Sequence, residues 1–226
     1  MAFEYSYPQQ RQEVLQASSF LMQSGVMSHT GHVNFSCRVD DSGLLFSSTG
    51  LIHELSATPL ALLDTDGNLK EGHISASTRE ILPMHLAVYR SRDDAVAVVH
   101  THSPHLTAFA LVGRSLPCRY EAMFRRGQDH AVPVVEWSPR GSTKFTQAIA
   151  QALSRWPTTL ALLLANHGVL AFGASPMAAA KLVAVLEEAA EAEIRAAAIG
   201  GARDLPPEVF EDTSSAPDEA PSPGPS

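Results

Sequence analysis

The chain has 226 residues, of which 45% are hydrophobic and 18% charged, and this length suits one globular domain with a sizeable core. The longest apolar run, residues 160–165, is too short to cross a bilayer, and the first residues lack the basic and apolar regions of a secretory signal. A net charge of −8 argues against binding nucleic acid through its phosphates. We therefore expect a cytoplasmic protein with a small-molecule partner and with neither nucleic-acid nor membrane partners.

Helical and extended patterns alternate along the body of the chain. Apolar residues at helical spacing predict helices at residues 9–24, 80–91 and 176–199. The last of these has Ser175 as N-cap and Pro176 at its first position, and Gly200-Gly201 ends it. Short apolar runs predict strands at residues 43–48, 60–64, 96–101 and 160–165, the second followed by the turn DTDGN. This order of elements predicts a layered α/β fold.

The end of the chain has a different composition. Residues 202–226 are rich in Pro, Ser and acidic residues and contain few large apolar ones, so burial cannot offset the entropy lost on ordering. We predict a domain at residues 1–201 and a disordered tail at residues 202–226. Six carboxylates lie in residues 204–226, so the body is close to neutral and its charge says little about the substrate. The two cysteines, Cys37 and Cys118, are expected to be reduced thiols.

Two histidines end an apolar strand in the segment AVAVVHTHSPH, residues 95–105. Alternate residues of a strand point to the same face, so His100 and His102 can converge on one ion. Burying two imidazoles side by side is costly unless each finds a partner, and a metal supplies one. Catalytic zinc usually takes three protein ligands, and His167, beside Gly168 at the end of another apolar strand, is the best third candidate. The alternative is a surface HxH pair and a simple NHG turn.

The chain also resembles the class II aldolase/adducin family. The resemblance rests on ordered motifs: GHVNFSCR, SSTG, EGHISASTRE, HLAVYRSRDDAVAVVHTHSPH, PRGS and NHGVLAFG. It implies a three-layer αβα sandwich with a central mixed β-sheet and a homotetramer with active sites at subunit interfaces. It also implies a divalent metal on His100, His102 and His167. Zinc is the ion that we expect, with manganese, iron or cobalt as alternatives.

The resemblance further assigns substrate-binding groups. Asn34, Thr49 and Gly50 match the family residues that hold a substrate phosphate. Ser77 and Thr78 are the expected hydroxyl pair, with Ser75 as an alternative. Arg79, which the usual family pattern lacks, either binds a carboxylate as a bidentate guanidinium or is an ordinary solvated residue.

Glu80 is the expected general acid/base, and we expect it to be buried beside the metal pocket. It lies five residues before His85, where the family usually has a spacing of four, so one extra residue has to be accommodated. The alternative role for Glu80 is a carboxylate in the first turn of the helix at residues 80–91, favoured by the helix dipole. Tyr120 is a candidate second acid that reaches across a subunit boundary, with packing as the alternative.

The remaining histidines divide into two groups. His85, on a helix, is expected to support or pack near the site. The others are either pocket residues or solvated loop residues: His32, His73, His105 and His130.

Three functions stay open from the sequence. The leading one is a metal-dependent lyase that cleaves a small phosphorylated or polyhydroxylated ketose by a retro-aldol reaction through a metal-stabilised enediolate. The second is a metal-dependent decarboxylase or dehydratase of a small keto or aromatic acid on the same scaffold. The third is a non-enzymatic adducin-like interaction module. Retention of all three histidines disfavours the third.

Overall fold

The computed structural model describes residues 5–41, 43–55 and 60–211. The helices are α1 (Pro8–Ser24), α2 (Ile52–Leu55), α3 (Ala76–Arg79), α4 (Leu82–Ser91), α5 (Pro104–Leu111), α6 (Glu121–Arg125), α7 (Thr143–Arg155), α8 (Pro176–Ala197) and α9 (Glu208–Glu211). The strands are β1 (Val33–Asp40), β2 (Gly43–Phe46), β3 (Ala61–Asp64), β4 (Leu69–Glu71), β5 (Ala97–Thr101), β6 (Val134–Val135), β7 (Ala161–Leu164) and β8 (Gly168–Gly173).

The strands that the structure describes form one mixed sheet in the order β4-β3-β2-β1-β5-β8-β7-β6. All neighbours are antiparallel except β6 and β7, which are parallel. Side chains alternate between the two faces, so Val99 joins the apolar cluster under α1, α5 and α8, whereas Val98 joins the cluster under α4 and α7. The predicted three-layer αβα sandwich is confirmed.

Most predicted elements are found with small differences at their ends. Helix α8 begins as predicted, because the Ser175 hydroxyl accepts a hydrogen bond from the backbone N–H of Ala178 at 3.0 Å. The turn after β3 is closed by the Asp64 carboxylate, which accepts from the backbone N–H of Asn68 at 2.8 Å. The helix predicted at residues 80–91 begins two residues late, at Leu82, with Pro83 in its first turn. In the described part of the chain, none of the helices combines the length and apolar character needed to cross a membrane.

Ordered structure continues past the predicted domain boundary at residue 201. The Asp204 carboxylate pairs with Arg119 at 2.7 Å, and the Phe210 ring of α9 packs edge-on against Phe124 at 5.3 Å. Residues 202–211 therefore make contacts that a disordered tail does not include, and an ion pair and an aromatic contact offset part of the ordering entropy. The domain boundary at residue 201 stays a prediction. The rest of the predicted tail, residues 212–226, lies outside the described residues.

Candidate metal centre

Three histidines from two adjacent strands meet at one end of the sheet. His100 lies in β5, His102 follows that strand, and His167 lies in the turn between β7 and β8. Their potential ligand nitrogens all lie within 4.8 Å of one another, and the Nε2 atoms of His100 and His102 are 3.2 Å apart. Two nitrogens bound tetrahedrally to one zinc ion at about 2.0–2.1 Å lie roughly 3.4 Å apart. The cluster therefore has the spacing of a metal-binding site.

Backbone contacts fix the positions of these histidines. The Nδ1–H of His100 donates to the carbonyl of Val169 at 2.9 Å, which leaves Nε2 free to bind a metal. Gly168 lets the hairpin approach β5, since a Cβ there would lie 2.4 Å from the Thr101 carbonyl oxygen. Asn166 has a φ of 57°, which Asn adopts more readily than most residues. The predicted close backbone approach at Gly168 is confirmed.

Burial keeps the cluster uncharged. The pKa of His102 is lowered to about 4, chiefly by burial and also by the charges of His167, His32 and Arg140. Burial likewise lowers the pKa of His167 to about 4, with added effects from Arg140 and His32. The pKa of His100 is also lowered, chiefly by burial. The buried Nε2 of His167 has no hydrogen-bond partner among the described residues. Neutral imidazoles with available nitrogens are what a divalent cation requires, so these residues fit the ion that the sequence predicts.

His32 is a fourth histidine at the site. Its ring stacks on that of His102, with centroids 4.9 Å apart and planes 8° from parallel. Asn34, two residues on, is fully buried directly opposite His100 in the β1–β5 register. Neither polar atom of the Asn34 amide has a hydrogen-bond partner among the described residues. A Cβ on Gly50 would lie 3.5 Å from that amide and 3.6 Å from His32. The metal cluster is thus bordered by a small polar wall, which consists of His32, Asn34 and Gly50.

The other predicted hydroxyl groups lie next to this wall. The backbone N–H of Ser75 donates to the carbonyl of Ser48 at 3.1 Å, which joins the start of α3 to the SSTG loop. Ser75 caps α3, and its hydroxyl also contacts the hydroxyls of Ser77 at 3.0 Å and Thr78 at 2.7 Å. The Thr49 hydroxyl donates to Glu54 at 2.5 Å. Ser77 is exposed and Thr78 is fully buried, so of this pair only Ser77 is open to a substrate.

Glu80 differs from its prediction in two respects. It is exposed rather than buried, and it lies at the C-cap of α3 rather than in the first turn of α4. Helix α3 ends at Arg79, also exposed, and α4 begins at Leu82, so the extra residue falls at the break between two helices. An ideal Cβ on Gly141 would lie 3.6 Å from the Glu80 carbonyl oxygen, which places this junction beside the PRGS segment.

Tyr120 lies elsewhere within the single chain. Its hydroxyl donates to Glu188 on α8 at 3.0 Å, a contact that also raises its pKa. Within one chain, the contacts of Tyr120 agree with the alternative role, packing. A role across a subunit boundary stays a prediction.

The remaining histidines have separate contacts. His105 contacts Glu187, whose carboxylate also accepts from the first backbone N–H groups of α5, and His130 contacts Asp129. His73 is exposed. His85 is buried beneath the site, with its Nδ1 2.7 Å from the Ser36 hydroxyl. His85 supports the sheet as predicted, and of the four loop histidines His32 is the one in contact with the cluster.

The sequence assigned no role to one wall of the site. A cavity of about 420 Å³ opens onto His102 and His167, and its far side is formed by residues of the segment 137–145. That side carries Trp137, Arg140 and Phe145. The PRGS motif was part of the resemblance, but the sequence around a loop arginine does not indicate which residues the side chain faces in the fold.

Comparison with known proteins identifies the family to which this chain belongs. The sequence model of the Class II Aldolase and Adducin N-terminal domain matches residues 12–194. The chain belongs to this family. It is 32% identical to L-fuculose phosphate aldolase of Escherichia coli K12 over 139 residues, so the match spans 61% of that enzyme and 61% of this chain. It is also 32% identical to 5-deoxy-D-ribulose 1-phosphate aldolase of Bacillus thuringiensis serovar kurstaki over 206 residues, 89% of this chain and 92% of that enzyme.

A third family member has a different reaction in its name. The chain is 34% identical to 3-oxo-tetronate 4-phosphate decarboxylase of Haemophilus influenzae over 168 residues, 71% of this chain and 76% of that enzyme. Among solved structures, an L-fuculose 1-phosphate aldolase superposes with a TM-score of 0.78 at 25% identity, covering 91% of this chain and 94% of the other. A putative aldolase/epimerase/decarboxylase from Klebsiella pneumoniae gives 0.77 at 28% identity, covering 92% and 99%.

Proposed function

We propose that the protein is a divalent-metal-dependent carbon–carbon lyase that cleaves a small, phosphorylated ketose by a retro-aldol reaction. The observation that carries this proposal is the cluster of three neutral histidines, within 4.8 Å of one another, of which His102 and His167 line a cavity of about 420 Å³. The aldolases among its relatives support the reaction class. Zinc is the proposed ion, because three imidazoles with a further open position are typical of catalytic zinc.

The residues around the cluster have distinct roles in this proposal. His100, His102 and His167 hold the cation, which when bound polarises a substrate carbonyl. The uncharged donors of the polar wall, Asn34 and Gly50, with Ser77 beside them, receive the phosphate. Glu80, at the junction beside the PRGS segment, moves the proton at the carbon or hydroxyl where the bond breaks.

A decarboxylase on the same scaffold is the second candidate. The tetronate phosphate decarboxylase relative supports it, and so does the position of Arg140 on the cavity wall, where it can meet an acid. An adducin-like interaction module is less well supported, because such a module has no need of three converging, uncharged histidines.

The proposal includes a homotetramer with active sites at subunit interfaces. Glu80 is exposed in a single chain, and a neighbouring subunit would supply the burial that an acid/base group needs. Apolar side chains at the end of α5 are also exposed, Leu111 by 57% and Val112 by 73%. We further propose a reducing, cytoplasmic location. Both cysteines are free thiols, and burial raises the pKa of Cys37 to about 12, which makes that thiol unreactive.

Metal analysis tests the centre directly. Purified protein dialysed against zinc should hold about one ion per chain, and His100→Ala should lose it, because two histidines rarely retain a catalytic ion. His29→Ala, which removes an exposed histidine, is the matched control and should bind zinc like the parent. Equal zinc content in all three proteins would refute the assigned ligands.

Product analysis then distinguishes the two reactions. The zinc-loaded protein should release an aldehyde from a panel of ketose phosphates, and CO₂ from a panel of β-oxo acids if the second candidate is correct. Glu80→Gln should lower either rate by roughly 100-fold or more. Full activity of that variant would remove Glu80 from the mechanism and leave the metal centre in place.

A further inference from the structure

The cavity beside the metal cluster has one cationic side chain in its described lining. His102 and His167 line it together with Trp137, Arg140 and Phe145. Its volume of about 420 Å³ is in the range of small-molecule sites. A ligand bound to the cluster therefore extends from the histidines towards Arg140.

A closed turn holds Arg140 in place. The backbone N–H of Ser142 donates to the carbonyl of Pro139 at 3.1 Å, and Gly141 has a φ of 72°, which favours glycine. The Ser142 hydroxyl then caps α7 by accepting from the backbone N–H of Phe145 at 3.2 Å. The arginine is therefore carried on a tight turn tied to a 13-residue helix rather than on a long loop.

Arg140 has no carboxylate partner within residues 5–41, 43–55 and 60–211, and among the arginines without one it is the one that lines the cavity beside His102 and His167. Arg119, for comparison, pairs with both Glu193 and Asp204 at 2.7 Å. The charge of Arg140 nevertheless reaches the cluster, because it contributes to lowering the pKa of both His102 and His167. An unpaired guanidinium facing a metal-site cavity is suited to bind an anionic group of a ligand.

From this geometry we infer that Arg140 binds a carboxylate of the substrate, so that the natural substrate is a small oxo or hydroxy acid. The inference rests on the metal centre of the proposed function, and it favours the second candidate, a reaction on an acid, over cleavage of a ketose without a carboxylate. A planar guanidinium pairs with both oxygens of a carboxylate, and in the proposed function the substrate phosphate is already assigned to Asn34, Gly50 and Ser77. The uncharged donors around Asn34 suit the other end of the substrate. Trp137 and Phe145 add apolar surface to the lining of the same cavity, and an apolar surrounding strengthens a charged pair.

Binding of two simple chelators to the zinc-loaded protein tests the inference. Lactate has one hydroxyl and one carboxylate for the metal, whereas tartronate has the same pair and a second carboxylate free to meet Arg140. By isothermal titration calorimetry, Arg140→Gln should weaken tartronate roughly 10-fold to 100-fold and leave lactate roughly unchanged. Arg155→Gln removes an equally exposed charge from the far end of α7 and should change neither. Arg140→Lys should recover only part of the loss, since an ammonium cannot bind bidentately.

Three other outcomes would overturn the inference in different ways. Equal affinities for tartronate in the parent and in Arg140→Gln would show that the guanidinium does not touch the ligand. An equal loss for both probes would show only a long-range effect of charge on the metal centre. A loss confined to 2-phosphoglycolate, a third probe, would place a phosphate at Arg140. If removing zinc with a chelator changed no affinity at all, the proposed function would fail and the inference with it, a pattern distinct from the other three.

Discussion

Asn34 is a buried amide in the middle of the sheet whose two polar atoms meet no partner among the described residues. Leaving such a group without hydrogen bonds costs about 1–3 kcal/mol. Ser36, on the same strand and the same face, is satisfied by both His85 and Tyr89 at 2.7 and 2.9 Å. The contrast between these two neighbours indicates that the Asn34 amide is kept for a ligand rather than for stability.

Replacing Asn34 with Leu should therefore separate stability from binding. We expect Asn34→Leu to raise the free energy of unfolding by about 1 kcal/mol, because an unpaired buried amide is removed, and to weaken phosphate-containing ligands. Ser36→Ala, the matched change, should lower the free energy of unfolding by about 1 kcal/mol. Urea denaturation of the metal-free proteins measures both. A loss of stability in Asn34→Leu as large as that in Ser36→Ala would contradict this view of the amide.

The buried His85 makes the stability of the metal-free protein depend on pH, and the direction of this dependence follows from its pKa. Burial lowers its pKa to about 3, against about 6.5 for an unfolded histidine. Above pH 6.5, His85 is neutral in both the folded and the unfolded protein, so it contributes nothing to the pH dependence of stability. Between pH 6.5 and about 3 the unfolded state takes up a proton that the folded state does not, so stability falls as the pH falls.

Removing this imidazole should flatten the acid side of the stability curve. Between pH 7 and pH 5, the free energy of unfolding should fall by about 2 kcal/mol less in His85→Gln than in the parent, both with a chelator present. Comparing each protein with itself cancels any change in packing. Between pH 7 and pH 8 the two proteins should behave alike. Parallel curves down to pH 5 would mean that His85 is protonated in the folded protein.

The β7–β8 hairpin is the element that completes the metal centre. Gly168 lies where the hairpin meets β5, and a Cβ there would lie 2.4 Å from the Thr101 carbonyl oxygen and 2.9 Å from the His102 ring. Neither the sheet backbone nor a metal ligand can move away cheaply. We expect Gly168→Ala to lower the free energy of unfolding by about 1–3 kcal/mol and the zinc affinity by roughly 10-fold or more.

Gly113→Ala is the matched control for this substitution. Gly113 has a φ of 64° but nothing within 4 Å of its ideal Cβ, so alanine there adds only backbone strain. It should lower the free energy of unfolding by about 1–2 kcal/mol without changing the zinc affinity. Thermal unfolding and competitive zinc titration report the two quantities. Equal zinc affinities for Gly168→Ala and Gly113→Ala would show that the close approach does not position the ligands.

At the scale of elements, the sequence predicted what periodicity and caps encode. The strand that carries His100, the strand and turn that lead to His167, and the Ser175 cap of α8 were all predictable, because alternation, turn residues and capping are local signals. Strand β8, which completes the hairpin, was not predicted. The break between α3 and α4 was not predictable. One helix ends at Arg79 and the next begins at Leu82, and the sequence across this break has no residue that marks an interruption. The contact between His32 and His102 was also hidden, because it depends on how β1 pairs with β5.

At the scale of the whole molecule, assembly is the main open prediction. A homotetramer should have a molar mass of about four times the 24.2 kDa of the chain by light scattering. If the active sites lie between subunits, the specific activity should fall on dilution as the tetramer dissociates, because Glu80 then loses its surroundings. A monomer with full activity would refute the interfacial site. The sequence supports this assembly by family resemblance alone. Leu111 and Val112 are exposed, but their exposure does not identify the surface that would cover them.

The cavity wall that carries Trp137 and Arg140 is attached to the sheet by its smallest strand. β6 has two residues at the edge of the sheet, and the chain from there to α7 contains no further strand or helix. The histidines, in contrast, lie on interior strand β5 or next to the ends of interior strands. Mutations in the segment 136–142 can therefore accumulate without disturbing the metal ligands. If the proposed function is correct, differences in substrate preference among related proteins should be concentrated there, with the metal-binding histidines unchanged.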